Sequence, residues 1–151
     1  MNKLMYLSCA VIMTAGCAGT YKAPVSQYKN YSVAHNSNQT AVLSKAKRVL
    51  LLEGFQIQSS DDAAGFVSTA TKNWRLTPAQ AACGTTMGID YLKDKRTKTE
   101  VSVNVIVDET TLTIKSNIQG EYKPGAVDQD ITLTCVSKGA VETELGNKIL
   151  Q

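Results

Sequence analysis

An alternating stretch in the middle of the chain constrains the fold more than any other segment. Every second residue from Val101 to Val107 is valine, and after a polar turn at residues 108–110 a second alternation runs from Leu112 to Ile118. Successive side chains of a strand point to opposite faces, so each segment has one apolar face. The pair therefore predicts an antiparallel hairpin with one buried face.

Helical periodicity occurs on both sides of this hairpin. Apolar residues recur at helical spacing over residues 40–53, and Gly54 suits the left-handed position that ends a helix. A second helix is predicted over residues 139–150, with Ser137 as a nearby cap. Shorter alternations predict further strands at residues 55–58, 66–72 and 131–135.

The order of these elements predicts a single α+β domain over residues 40–151. We expect a two-layer sandwich, in which an antiparallel sheet of four to five strands carries both helices on one face. Between the predicted strand at residues 66–72 and the central hairpin, the segment from Thr77-Pro78 to Gly84 has the residues of one or two helical turns. This insert is expected to carry Cys83 over the sheet.

The N-terminus has the layout of an export signal. Lys3 supplies a positive charge, an apolar run follows from Leu4 to Met13, and small residues come next. A helix needs about 20 apolar residues to cross a bilayer, so this run is too short for a permanent span. Residues 1–16 are therefore predicted to be a signal peptide that is removed.

The end of this segment, Thr14-Ala15-Gly16-Cys17, resembles the lipobox of bacterial lipoproteins. Thr14 departs from the Leu usual at its position, and ordinary signal cleavage after Ala18 is the alternative. The resemblance implies that Cys17 carries a diacylglycerol and becomes the acylated N-terminus. Because Ala18 is not the Asp that favours the inner membrane, it also implies an outer-membrane anchor with the domain in the periplasm.

Residues 17–39 are mostly polar and lack aliphatic periodicity, so we predict a lipidated N-terminus and flexible tether. Tyr21, Tyr28 and Tyr31 interrupt this segment, and they could instead lie against the domain or at the lipid surface. His35, the single histidine, is predicted to be an exposed residue of the tether.

The chain has four cysteines, of which Cys9 lies in the signal and Cys17 at the lipobox. The remaining two, Cys83 and Cys135, predict one disulfide in an oxidising compartment, with free buried thiols as the alternative. A metal site would need more ligands of the usual types. Neither a metal nor a cofactor is therefore expected.

Charge and motifs exclude several classes of function. A net charge of +3 is too small for a nucleic-acid binder, and no catalytic constellation is recognisable. Asp61-Asp62 is typical of a solvated turn, while Glu142 and Glu144 are two residues apart and face different ways on a helix. The protein is predicted not to be an enzyme.

Four cations crowd one loop and offer two interpretations. Lys93, Lys95, Arg96 and Lys98 either form a solvated turn or contact anionic envelope material, such as lipid head groups or an acidic partner. Trp74, beside Arg75, is either a core residue or an exposed anchor.

The layout of residues 40–150 resembles small periplasmic lipoprotein domains of the BamC type. The resemblance includes the Gly54-Phe55 start of a strand and the turn from Asp61 to Gly65 before Val67. It supports the fold rather than a particular function. The pairing of an anchor with a small disulfide-locked domain that lacks reactive residues predicts a non-enzymatic, membrane-anchored lipoprotein that docks on another envelope component. The alternative is a carrier or sensor that binds a small amphiphilic ligand between sheet and helices.

Overall fold

A computed structural model of the protein describes residues 21–25, 31–125 and 129–151. Cys17, the predicted lipidation site, and Tyr28 of the predicted tether lie outside these residues.

The described residues form two helices, twelve strands and one short 3₁₀ turn. The helices are α1 (Gln39–Leu52) and α2 (Ala140–Leu150), and the turn spans Tyr91–Lys93. The strands are β1 (Tyr21–Lys22), β2 (Tyr31–Ala34), β3 (Ile57–Asp61), β4 (Phe66–Thr69), β5 (Lys72–Asn73), β6 (Ala81–Ala82), β7 (Thr85–Thr86), β8 (Ile89–Asp90), β9 (Thr97–Val107), β10 (Thr111–Tyr122), β11 (Ile131–Thr134) and β12 (Val136–Ser137).

The predicted fold class is wrong, because the described residues are mostly β and form three antiparallel sheets. The main sheet has seven strands: β11, β10, β9, β4 and β3 lie side by side, β2 also pairs with β10, and β5 with β9. A three-stranded sheet contains β1, β7 and β8, and a two-stranded sheet contains β6 and β12. A single sheet of four to five strands does not describe this arrangement.

The missed strands are short. Six of the twelve strands have only two residues, which is too short for an alternating pattern to be recognised.

The predicted helical insert is also wrong. Thr77 and Gln80 close a turn, with the Gln80 amide 2.9 Å from the Thr77 carbonyl, and β6 follows it as a strand. Proline and glycine favour turns as well as helix ends, so the local signal does not separate the two.

The predicted central hairpin is confirmed. β9 pairs with β10 along its whole length, from Val107 opposite Leu112 to Thr97 opposite Tyr122. The four valines of β9 are fully buried. Because the facing residues of β10 are also mostly buried aliphatic side chains, the hairpin presents one continuous apolar face.

The two helices that the sequence predicts are confirmed to within one residue at each end, and they cover this apolar face. α1 lies against β9, α2 lies against β10, and the helices contact each other. Leu43 and Leu50 of α1 and Leu145 and Ile149 of α2 are almost inaccessible and join the strand side chains in one core. Their burial supplies the main drive for folding.

Each outer edge of the central hairpin is covered by two short strands with a gap between them. On the β10 edge, β2 pairs with residues 111–114 and β11 with residues 119–122. Within that gap the carboxylate of Glu142 accepts a hydrogen bond from the Ser116 amide at 3.1 Å. On the β9 edge, the Thr69 hydroxyl accepts from the Val103 amide at 2.9 Å, in the gap between β4 and β5. Side-chain oxygens thus satisfy buried amides that lack a strand partner.

The folded domain begins before residue 40, so the tether prediction is wrong for the segments that the structure describes. β2 pairs with β10, and β1 pairs with β7. Tyr31 packs so closely on α2 that a Cβ atom at Gly146 would lie 2.1 Å from its ring. His35 is 7% exposed rather than solvated, and its amide donates to the Thr110 carbonyl at 2.8 Å. A strand of four residues at a sheet edge has too little periodicity to be recognised.

The predicted disulfide is confirmed. Cys83 and Cys135 are bonded across a sequence separation of 52 residues, with Cα atoms 4.1 Å apart. Pairing of β6 with β12 brings the two together, since Ala82 lies opposite Val136. The bond therefore joins the segment of short strands to the C-terminal part of the chain.

Removing the disulfide should lower the free energy of unfolding by about 4 kcal/mol, because a loop of this length restricts the unfolded chain. The test is urea denaturation of a Cys83→Ala, Cys135→Ala double variant beside the oxidised protein, with the reduced wild type as a control for lost side-chain packing. A loss below about 1 kcal/mol would contradict the stabilising role.

Candidate functional site

The four cations singled out in the sequence lie together at one end of the main sheet, where β9 begins. Lys93 ends the 3₁₀ turn, Lys95 and Arg96 follow, and Lys98 is on β9. All four are exposed. Their surroundings differ, however, and the structure divides them into two groups.

Arg96 is committed to local structure. Its guanidinium forms an ion pair with Asp94 at 2.7 Å, donates to the Pro124 carbonyl at 2.7 Å and lies 5.0 Å from the centre of the Tyr122 ring. Hydrogen bonds from Arg96 are the main cause that lowers the pKa of Asp94 to about 2. The ion pair therefore persists until the pH falls toward that value, well below the ordinary carboxyl range.

Lys95 and Lys98 instead line a shallow groove that also contains Arg75 and Trp74. We call this groove, together with the neighbouring Lys93, the basic groove. No carboxylate among the described residues lies within ion-pair distance of its four cations. Of the four cations, Lys98 is the least suited to bind an anion, because the carboxylate-bearing Glu121 lies opposite it on β10.

Trp74 is a wall of the groove rather than purely a core residue or an exposed anchor. Its ring meets the ring of Phe55 edge to face, with centroids 6.0 Å apart, and it is partly buried. The ammonium of Lys72 lies 4.0 Å from the Phe55 centroid and 4.4 Å from the Trp74 centroid. Burial lowers the pKa of Lys72, and the charge of Glu53 acts in the opposite direction.

Three tyrosines connect the main sheet to the three-stranded sheet. The ring of Tyr91 lies 5.9 Å from that of Tyr21 and 4.9 Å from that of Tyr122, centre to centre. The Thr97 hydroxyl donates to the Tyr91 carbonyl at 2.6 Å. These contacts place β1, β7 and β8 at the same end of the main sheet as the basic groove.

The hairpin of β7 and β8 is a feature that the sequence analysis missed. Its two-residue turn is Met87-Gly88, and both residues have positive φ angles, 49° and 79°. Met87 is 88% exposed and Ile89 is 61% exposed. A glycine in the second position of a two-residue turn, flanked by threonine and isoleucine, was the available signal.

Glu142 was also missed, since the sequence analysis considered it only as one of two helix glutamates. Its side chain is 1% exposed, and its carboxylate accepts from the Ser116 hydroxyl and, at 2.7 Å, from the Ser137 hydroxyl. The Ser137 oxygen in turn accepts from the Gly139 amide at 3.0 Å. Its place in the first turn of α2 favours a negative charge. Glu142 thus connects α2 to β10 and β12.

The remaining candidates lie apart from one another. Asp61 accepts from the Ala63 and Ala64 amides at 3.0 Å as a turn residue, and Asp62 pairs with Lys47. His35 has one ring nitrogen 3.1 Å from the Ser37 carbonyl, and the other is buried with no hydrogen-bond partner among the described residues. Within residues 21–25, 31–125 and 129–151, no group of three or more possible metal ligands occurs. Over the same ranges, no helix has the length and apolar character of a membrane span.

Comparison with known proteins adds little. No protein-family model and no curated protein matches the chain. A crystal structure of a DUF4468 family protein from Bacteroides ovatus aligns with a TM-score of 0.44 and 11% identity, covering 68% of this chain and 59% of that chain. This chain therefore spans less than two thirds of that protein, and a similarity of this degree supports no statement about function.

Replacing Glu142 with alanine should lower the free energy of unfolding by about 3 kcal/mol, because two buried serines lose a charged hydrogen-bond acceptor. Glu144→Ala is the matched control on the same helix. Glu144 is half exposed and pairs with Lys148, so its loss should cost no more than about 0.5 kcal/mol. Urea denaturation measures both, and equal effects would contradict a structural role specific to Glu142.

Proposed function

We propose that this protein is a non-enzymatic envelope lipoprotein, held by Cys17 in the outer membrane on its periplasmic side. It acts by contact with another envelope component. The observation that carries the proposal is the disulfide between Cys83 and Cys135. Structural disulfides form in oxidising compartments and are rare in the cytosol, so the bond supports export of the chain.

The distribution of cysteines supports the same conclusion. The chain has four cysteines, and the two within the domain are bonded to each other. Of the other two, Cys9 lies in the apolar N-terminal run, and Cys17 ends the segment from Thr14 that resembles a lipobox. Multiple acylation would make Cys17 a lasting anchor, since each buried methylene contributes about 0.8 kcal/mol.

The folded domain would lie close to this anchor rather than at the end of a long spacer. The first described strand, β1, begins at Tyr21, four residues after Cys17. Four residues span at most about 14 Å when fully extended. Any surface near β1, including the basic groove, is therefore available to molecules at or near the membrane.

The basic groove is the proposed contact surface for an acidic partner in the envelope. Arg75, Lys93 and Lys95 are exposed and lie at the same end of the main sheet. Exposed cations with no carboxylate partner attract an anionic surface and speed its association. Arg96 is left out of this surface because its charge is already paired with Asp94.

The anchor is tested by mass spectrometry of the mature N-terminus from protein purified out of membranes. We expect a chain that starts at Cys17 and carries diacylglycerol and a further acyl group. A Cys17→Ala variant should accumulate as unprocessed protein. A mature chain that begins at Gly19 without an acyl mass would overturn the proposal.

Contact through the basic groove is tested by crosslinking in cells of the source organism and capture of the full-length protein. A Lys93→Glu, Lys95→Glu variant should recover the specific partner about fivefold less efficiently than wild type, because charge reversal repels an acidic surface. Lys45→Glu, Arg48→Glu, on the exposed side of α1, is the matched control. Equal recovery by both variants would exclude the groove as the contact surface, and native mass spectrometry that shows a retained amphiphile would favour a carrier instead.

A further inference from the structure

The tip of the β7–β8 hairpin combines an apolar surface with an unfavourable backbone conformation. Met87 and Ile89 are 88% and 61% exposed, and a Cβ atom placed on Gly88 would have no neighbour within 4 Å. The tip therefore extends away from the rest of the domain. At about 3.3 Å per residue, it lies roughly 10 Å beyond the base of the hairpin, where the Tyr91 amide meets the Gly84 carbonyl.

Met87 is an unexpected residue at its position in the turn. A two-residue turn with two positive φ angles favours asparagine or aspartate before glycine, because their short polar side chains tolerate this conformation. Methionine has no such advantage, and its side chain has almost no contact with the domain. An apolar side chain held in a disfavoured conformation at an exposed tip indicates a role outside the domain.

The path of the chain places the tip beside the N-terminal end. Tyr21 lies opposite Thr86 and Lys22 opposite Thr85, in antiparallel register. Followed from Lys22 back to Tyr21, the chain therefore runs toward Met87. Cys17 is four residues before Tyr21, so its Cα lies within about 14 Å of that of Tyr21.

Two exposed lysines lie toward the base of the hairpin, behind the tip. Lys22 is exposed on β1, beside the hairpin, and Lys93 follows Ile89 by four residues, at the end of the 3₁₀ turn. Apolar side chains with nearby lysines suit the boundary between acyl chains and anionic head groups, where the lysine stems lie along apolar surface and the ammonium groups stay in water.

From these observations we propose that the hairpin tip, Met87 to Ile89, inserts into the lipid interface next to the acyl anchor and fixes the orientation of the domain on the membrane. The proposal rests on the anchor at Cys17. Two apolar side chains are too few for a stable protein interface, which buries at least about 1,000 Å². Beside an anchor that already holds the domain at the bilayer, the same two side chains suffice to orient it.

The test places a tryptophan at the tip and measures quenching by brominated lipid in proteoliposomes of the mature, full-length lipoprotein. Met87→Trp should be quenched about twofold more than Ser60→Trp, because only the tip enters the acyl region. Ser60 is exposed on β3. It lies opposite Val67 of β4, which lies opposite Val105 of β9, so Ser60 is level with the end of β9 that is far from the basic groove. Wild-type protein gives the background from Trp74.

Ile89→Trp repeats the measurement at a position with ordinary strand geometry, in case Met87→Trp does not fold. Met87→Asn introduces a residue that the turn favours, so it should fold as well as wild type by urea denaturation. Added to the Ile89→Trp variant, it should lower the quenching of the introduced tryptophan. This double variant separates loss of the apolar tip from loss of the fold.

The outcomes separate this inference from the proposed function. If Cys17 is acylated but neither tip tryptophan is quenched, the inference is overturned and the lipoprotein proposal remains intact. The same conclusion holds if the tip contacts a protein instead of lipid. Unacylated Cys17 overturns the anchor. In that case the unacylated protein is mixed with vesicles of anionic phospholipid. Quenching at position 87 would then show that the tip contacts lipid without an acyl anchor. No quenching would overturn both the anchor and the insertion of the tip.

Discussion

The pairing of β9 with β10 is the interaction on which the rest of the structure depends. These are the two longest strands, and every residue of β9 has a partner on β10. The shorter strands of the main sheet use this hairpin as a template, either on its two outer edges or one strand further out. Since a two-residue strand cannot persist alone, β5 exists because β9 offers it unpaired backbone groups.

The short strands leave gaps along both edges of the hairpin, and these gaps account for the burial of two polar side chains. Thr69 completes the β9 edge and Glu142 completes the β10 edge, each by accepting a hydrogen bond from a strand amide. A carboxylate in such a place is costly to bury unless several donors surround it. Ser116 and Ser137 supply the further donors, so the position of α2 is fixed by polar geometry as well as by packing.

The sequence was informative where a pattern repeats several times. The valines of β9 and the four-residue spacing of Val141, Leu145 and Ile149 were sufficient to predict the central hairpin and α2. The count and compartment of the cysteines predicted the disulfide. The short strands escaped prediction because they form only through distant partners, as β1 does with β7. For the candidate site, exposure of the basic loop could be predicted, but the pairing of Arg96 and the conformation of the Met87 turn depend on tertiary contacts.

The N-terminal position of β2 has a consequence for the order of events during folding. Ser32 meets Thr113, 81 residues later in the chain, so β2 cannot pair with β10 until most of the polypeptide is available. Contacts of such long sequence separation close late in folding. The segment that precedes α1 therefore joins the main sheet only after β10 has been made, so these early residues of the domain are among the last to find their place.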